Sequence, residues 1–348
     1  MTPRPSDPGT DSILVYVTSG ADDALGENVL KLPMLFALAA AFPGARVTWV
    51  PGTSGFMFLE RHLAPLVGGR IHEFVTDLAI PASPLAALRH RHAILRRRFD
   101  LVIDTQSLPG RTLFLRRIPH GVFVSSTWRY RLSDRRPPPG IELRPQRLVD
   151  KMMGLAAAAA GREVHAPNPL PVPPAWARRA ADLLPPGPVY VALAPGAGNK
   201  AVGKHWPFER FMAVARHQAE RGRVPVVLLG PAERQWEAAV RSAVPGALLP
   251  DLGDDVPEGG PTLTVALGGR VAAAVANCSG AGHLLAAGGA PMVSLFGPTR
   301  PEKYAPFSRA LVVVAAQDHG STAMEAIPVE AVLDALERQV AIGPASRV

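Results

Sequence analysis

The sequence predicts an α/β protein of two Rossmann-like, doubly wound domains, and three observations carry that prediction. Short β-branched runs alternate along the whole chain with longer Ala/Leu-rich segments, the order expected of parallel strands covered by helices on both faces. The 32 glycines and 37 prolines punctuate these segments rather than gathering in one tail, as turn residues do. The length, 348 residues, is more than twice the usual single-domain length of about 150.

The elements follow in order. Ile13-Leu-Val-Tyr-Val17 reads as a buried strand, and Glu27 to Phe42 as a helix ended by Pro43-Gly44. Arg46-Val-Thr-Trp-Val50 is a second strand; a basic helix around Leu85 to Arg98 precedes the strand Leu101-Val-Ile-Asp104. Val149 to Ala160 reads as a helix that packs small side chains. Pro167 to Pro174 then carries five prolines before a short helix near Trp176 to Leu184, and Pro185-Pro-Gly-Pro188 follows. Proline continues neither a central strand nor a helix, so this region joins an N-terminal domain, residues 1–174, to a C-terminal one, 175–348. The second half repeats the pattern. Strands are read at Val189–Leu193, Val224–Leu229, Ala272–Ala276 and Met292–Phe296, with helices at Phe208–Arg221, Glu233–Val244 and His283–Ala287. A last helix at about 329–342 could pack back on the N-terminal domain. Two such halves facing each other would leave a cleft at the carboxyl ends of their strands, where ligands usually bind.

Composition narrows the function. Hydrophobic residues at 47% and charged residues at 19% support a large core rather than disorder. The net charge of +8 suits an anionic partner: a nucleotide, a phosphorylated glycan, acidic lipid or nucleic acid. One cysteine permits neither an internal disulfide nor a cysteine-based zinc site. The run Ile13–Val17 is too short for a signal h-region, and glycines, His283 and Pro291 interrupt the charge-free stretch Val271–Thr299. A soluble cytoplasmic protein is the expectation.

Four motifs carry chemistry. Pro195-Gly-Ala-Gly198 follows a strand and precedes Lys200 and Lys204-His-Trp-Pro207. Its backbone N–H groups and a lysine could hold a diphosphate, although an ordinary turn with solvated lysines has the same pattern. Asn277-Cys-Ser-Gly-Ala-Gly-His283 opens a helix; its glycines admit a ligand to the backbone, and His283 is either a phosphate or sugar donor or a simple cap. Leu295-Phe-Gly-Pro-Thr299 places a threonine hydroxyl at a turn after a strand. Glu27 lies at a helix start, where the helix dipole alone accounts for a carboxylate, and it also lies where it could take a proton from a hydroxyl. Asp22 and Asp23 compete for that role. The basic stretch Arg89 to Arg98 reads as a solvated face, or as a patch for phosphorylated glycolipid at a membrane surface. Trp128-Arg-Tyr-Arg131 interleaves aromatic and basic residues without a nucleic-acid motif.

Together these spacings resemble glycosyltransferase family 9, whose best-known members are the lipopolysaccharide heptosyltransferases. The matching positions are Leu25-Gly-Glu-Asn-Val with Pro33, Phe42-Pro-Gly-Ala-Arg-Val-Thr-Trp49, and Phe99-Asp-Leu-Val-Ile-Asp-Thr-Gln106 with Arg111. Lys204-His-Trp-Pro-Phe-Glu-Arg-Phe211, Leu228-Leu-Gly-Pro-Ala-Glu233, Ser279-Gly-Ala-Gly-His-Leu284 and Leu295-Phe-Gly-Pro-Thr-Arg-Pro301 complete the set. The resemblance spans roughly residues 13 to 315.

It implies the GT-B architecture, with the acceptor on the N-terminal domain and a nucleotide-sugar donor on the C-terminal one. Anomeric inversion without an essential metal or other cofactor comes with it. Carried over by motif, Glu27 is the general base and Lys204 the contact to the donor phosphates. Glu233 lies near the position that holds the ribose. Gly196, Gly198, Cys278, Ser279, Gly280, Gly282, His283 and Thr299 line the donor, and Gln106 and Arg111 the acceptor. Asp254-Asp255 reads as a solvated pair rather than a metal site. Two positions depart from the family pattern: Glu27 replaces an aspartate, and Cys278 replaces the aspartate expected on the donor sugar hydroxyls. The expected partners are ADP-heptose and a glycolipid or glycan acceptor such as the lipopolysaccharide core, with peripheral contact at the inner membrane and no nucleic acid. Two other readings remain: a non-catalytic nucleotide-sugar or glycan-binding protein, and a GT-B epimerase or hydrolase.

Overall fold

The computed structural model describes residues 9–17, 25–51, 58–81, 83–198, 203–250 and 260–342. The chain divides into two compact units, Met1–Glu60 with Val67–Pro167, and Arg61–Leu66 with Asn168–Val348. Among the described residues no helix is long and apolar enough to cross a membrane.

The first unit holds a five-stranded sheet of order β3-β2-β1-β4-β5, formed by β1 (Ser12–Tyr16), β2 (Arg46–Val50), β3 (Glu73–Phe74), β4 (Phe99–Asp104) and β5 (His120–Ser125). Every pairing is parallel. Side chains alternate across the sheet: Leu14, Tyr16, Val50 and Val102 enter one core with Phe114 and Phe123, while Ile13, Val15, Val47 and Ile103 are buried on the other face. The single helix expected over Glu27 to Phe42 is two helices, Leu25–Val29 and Leu32–Ala41. Pro33, at the start of the second, has no N–H to continue the ladder. The basic stretch is likewise divided, into helix Pro84–Arg89 and a 3₁₀ turn Ala93–Arg96. Arg97 pairs there with Glu73 at 2.6 Å, and Arg89, Arg91, Arg96 and Arg98 are exposed.

The second unit holds β6 (Tyr190–Ala194), β7 (Val224–Val227), β8 (Ala273–Asn277), β9 (Met292–Phe296) and β10 (Leu311–Ala315) in the order β10-β9-β8-β6-β7, again all parallel. Odd and even positions separate into two cores. Val191, Leu193, Val275 and Leu295 pack with Trp206, Phe211 and Leu336 on one face; Ala192, Ala194, Ala274 and Met292 pack with Leu263 and Leu285 on the other. Helix Val329–Ile342, which the sequence allows to return to the N-terminal domain, lies on this sheet, because its one apolar stripe, Val332, Ala335 and Leu336, is buried there. The units divide at Pro167/Asn168 rather than at 174/175. Asn168 Nδ2 donates to Ala286 O and Phe307 O (3.1 and 3.0 Å) and Leu170 N to Ala287 O (2.8 Å), so the prolines after 168 belong to the second unit.

Candidate functional site

In a parallel sheet with covered faces the carboxyl edge is where irregular backbone meets solvent, above all where the strand order reverses. In the second sheet that reversal falls between β6 and β8, and the segments after β6, β7, β8 and β9 carry Gly196 with Gly198, Glu233, Cys278 to His283, and Thr299 in turn.

Asn277, the last residue of β8 and fully buried, ties this edge together. Its amide N–H₂ donates to Pro195 O at 2.7 Å, and its carbonyl accepts from Trp206 N at 3.1 Å. Both ends of the loop after β6 are thereby fixed to one strand. Trp206 is buried and donates its indole N–H to Ile327 O at 3.0 Å, which positions Lys204, half-buried two residues earlier. Lys200 lies outside the described residues. Sequence reading quoted Asn277 within a motif without giving it a role; an asparagine ending an apolar strand beside a glycine loop was the available signal.

Burial pushes the Cys278 thiol up, opposed by the Thr299 hydroxyl and the Lys204 charge. Lys204, Cys278 and Thr299 lie on the segments that follow β6, β8 and β9, three neighbouring strands of the sheet, and the Thr299 hydroxyl is buried with no hydrogen-bond partner among the described residues. At neutral pH the thiol stays protonated and offers only a weak hydrogen bond. Ser279 caps helix Gly280–Ala287 by accepting from Gly282 N at 3.3 Å, and Gly280 is half-buried in its first turn. His283, on the same helix, is 6% exposed, and burial lowers its pKa to about 4. It is neutral at physiological pH, so toward an anion it supplies at most a hydrogen bond and no charge. Glu233 is buried, and its carboxylate fills the space that a Cβ on Gly196 or Gly230 would occupy, 2.6 and 2.7 Å from those positions. Its packing holds the loops after β6 and β7 against each other.

In the first unit, Glu27 is half-buried in the short helix Leu25–Val29. Asp22 and Asp23, its competitors, lie outside the described residues, as do Asp254 and Asp255. Gln106 and Arg111 flank the carboxyl end of β4 and the start of helix Pro109–Leu115, both half-buried. Beside them, at the end of β4, stands a residue to which sequence reading gave no role, Asp104. Its carboxyl is fully buried and accepts from Thr112 Oγ1 (2.6 Å), Ser125 Oγ (2.9 Å) and Gln106 N (2.9 Å). Burial raises its pKa against those hydrogen bonds and the charge of Lys151. The cage fixes the backbone from which Gln106 and Arg111 project.

Comparison with known proteins follows the same lines. The profile of glycosyltransferase family 9 (heptosyltransferase) matches residues 87–327. Lipopolysaccharide heptosyltransferase 1 of Pseudomonas aeruginosa is 26% identical over 304 residues, 80% of this chain and 77% of that protein. Among solved structures, the family 9 glycosyl transferase of Veillonella parvula superposes with a TM-score of 0.66 at 17% identity, covering 96% of this chain and 98% of that one. E. coli heptosyltransferase WaaC with ADP gives 0.62 at 21%, covering 94% and 99%. The two Rossmann-like units have the GT-B fold of these neighbours.

Proposed function

The chain belongs to glycosyltransferase family 9, and from that premise we propose that it is an inverting, metal-independent heptosyltransferase. Its donor is a nucleotide-diphosphate sugar, ADP-heptose, and its acceptor a lipopolysaccharide-core glycan. The P. aeruginosa relative, a lipopolysaccharide heptosyltransferase by name, supports that choice of substrates. The observation that carries the donor half is that the segments bearing Lys204, Cys278 to His283 and Thr299 leave the carboxyl ends of neighbouring strands of the second sheet, where the buried Thr299 hydroxyl and His283 Nδ1 have no hydrogen-bond partner among the described residues. A cation and a hydroxyl beside a capped helix N-terminus make a setting for a diphosphate.

The chemistry then assigns itself by residue type. Glu27 takes the proton of the acceptor hydroxyl as its oxygen attacks the anomeric carbon. The bond from that carbon to the diphosphate oxygen breaks, its electron pair leaves on the diphosphate, and Lys204 stabilises the charge. Gln106 and Arg111 hold the acceptor. The exposed Arg89, Arg91, Arg96 and Arg98 suit peripheral contact with the anionic inner face of the cell membrane from the cytoplasm.

The test is acceptor-dependent nucleotide release from a panel of nucleotide sugars with lipopolysaccharide-core acceptor. Glu27→Gln should lower turnover by about 10²-fold or more with donor affinity unchanged, and unchanged turnover rejects the base. Lys204→Ala should weaken ADP binding about tenfold; equal affinity by calorimetry removes Lys204 from the phosphate site. Cys278 at the family's aspartate position favours one rival, a non-catalytic nucleotide-sugar binder, which binding without release in every combination would select. Release without acceptor would select an epimerase or hydrolase.

A further inference from the structure

The carboxyl ends of β4 and β5 carry a feature that the roles above leave unused. Trp128, Arg129 and Tyr130 stand consecutively in the left-handed backbone region, with φ of 49°, 57° and 63°, and Ser107 after β4 has φ of 59°. Residues with a Cβ enter that region singly, and glycine, asparagine or aspartate most readily. A run of three bulky residues persists only where the surroundings over-determine it.

They do so here. On the near side, Ser126 Oγ lies 2.5 Å from Ser107 Oγ, and Thr127 Oγ1 lies 2.7 Å from Thr112 Oγ1. On the far side, the Asp134 carboxylate accepts from Phe123 N (2.8 Å) and Arg116 (2.7 Å), while Asp134 N donates back to Phe123 O (2.8 Å). Ser133 Oγ accepts from Ser125 N at 3.2 Å. Tyr130, the third residue of the run, is 2% exposed, with its hydroxyl against Gly154. The clamp therefore buries the tyrosine and turns its neighbours outward. Trp128 is 54% exposed and Arg129 is exposed beside it, the reverse of where a free loop would place a tryptophan.

Arg111 stands one residue before Thr112, whose hydroxyl meets that of Thr127, the residue before Trp128. Arg111 Nε is buried with no hydrogen-bond partner among the described residues. An exposed indole face, the adjacent Arg129 guanidinium and, on the same loop, the Ser126 hydroxyl paired with that of Ser107 are groups suited to one kind of ligand. Indole stacks on the C–H face of a sugar ring while its N–H stays wet, and planar guanidinium grips phosphate or carboxylate bidentately.

We propose that Trp128 and Arg129, with Arg111, form the platform on which an anionic glycan sits, the indole under one sugar ring and the guanidinium groups on its acidic substituent. The proposal rests on the transferase reading only in calling that glycan the acceptor.

The full-length protein is titrated by calorimetry with a lipid-free phosphorylated inner-core oligosaccharide, with the same oligosaccharide after phosphatase treatment, and with a short single-stranded RNA. The phosphorylated oligosaccharide should bind, and Trp128→Ala should weaken it about tenfold or more, while Trp128→Phe stays within about threefold. Arg129→Ala should narrow the gap between the two oligosaccharides; if phosphatase treatment changes nothing and Arg129→Ala still weakens binding, the anion held is a carboxylate. ADP affinity and the thermal unfolding midpoint should be the same in all variants, because Trp128 and Arg129 are exposed. Wild-type affinity in Trp128→Ala, no oligosaccharide binding by the wild type, or tighter binding of RNA would each overturn the platform. Trp128-dependent oligosaccharide binding in a protein that turns over no nucleotide sugar rejects the transferase reading alone. Turnover with an unchanged acceptor KM in Trp128→Ala rejects the platform alone.

Discussion

His283 shows how far a residue's neighbours decide its chemistry. In the unfolded chain it titrates near 6.5, and in the fold near 4, so between those values the unfolded state binds the extra proton. Stability is therefore fully present above pH 6.5 and is lost as pH falls toward 4, by roughly 3 kcal/mol. Urea midpoints measured from pH 7 to pH 4 should fall less steeply in His283→Gln than in the wild type; equal slopes would mean the imidazole is not buried neutral. The position of His283 in a glycine-rich helix start was legible in the sequence, but its burial was not. The ring is enclosed by a helix packed on β8 and β9, contacts that no local window contains. Asp104 was hidden for the same reason: its cage draws on Thr112 and Ser125, from a helix and a neighbouring strand. Glu233 was visible as an acid after a Gly-Pro turn, yet its packing against Gly196 depends on a residue far upstream.

At the scale of elements, close helix packing is the most exacting constraint. Helices Gly260–Gly268 and Gly280–Ala287 meet where a Cβ on Gly288 would collide with the Val265 carbonyl and approach Gly268 Cα at 3.0 Å. Backbone cannot yield as a side-chain tip does, so Gly288→Ala should cost at least about 2 kcal/mol. Gly246→Ala, where nothing lies within 4 Å, should change stability by no more than about 0.5 kcal/mol. Denaturant midpoints of the two variants check the contrast, and equal midpoints would refute the interlock. Strong periodic segments were legible: the strands Arg46–Val50 and Met292–Phe296 stand where their β-branched runs place them. Others went unread. Glu73–Phe74 is too short for a period, and His120-Gly121 opens β5 with residues that seldom start a strand. Leu311-Val-Val-Val-Ala315, with a clear strand composition, is the edge strand of the second sheet that the four strands read from the sequence do not include.

For the whole molecule, the alternation of strands and helices was enough to foresee two Rossmann-like units. The exact seam was not foreseeable, because it depends on hydrogen bonds from Asn168 and Leu170 to helix Gly280–Ala287 and its surroundings. Each unit has its own cores, and the proposed diphosphate site draws only on the second. Hydrogen exchange with saturating ADP should therefore slow amides around Gly196 to Gly198, Lys204, Cys278 to His283 and Thr299, and leave β1 to β5 unchanged. Slowing confined to the first sheet would contradict that placement. The strand order has one more consequence. On the ribosome, the first sheet has all its strands once Ser125 has emerged, whereas β6 waits beside an empty place until β8 is synthesised. The second sheet gains its last edge only at Ala315 and the last helix that covers one of its faces only at Ile342. A chain released early would thus present a finished half joined to a bare apolar surface, which makes the final thirty or so residues the checkpoint between a soluble product and a target for chaperones.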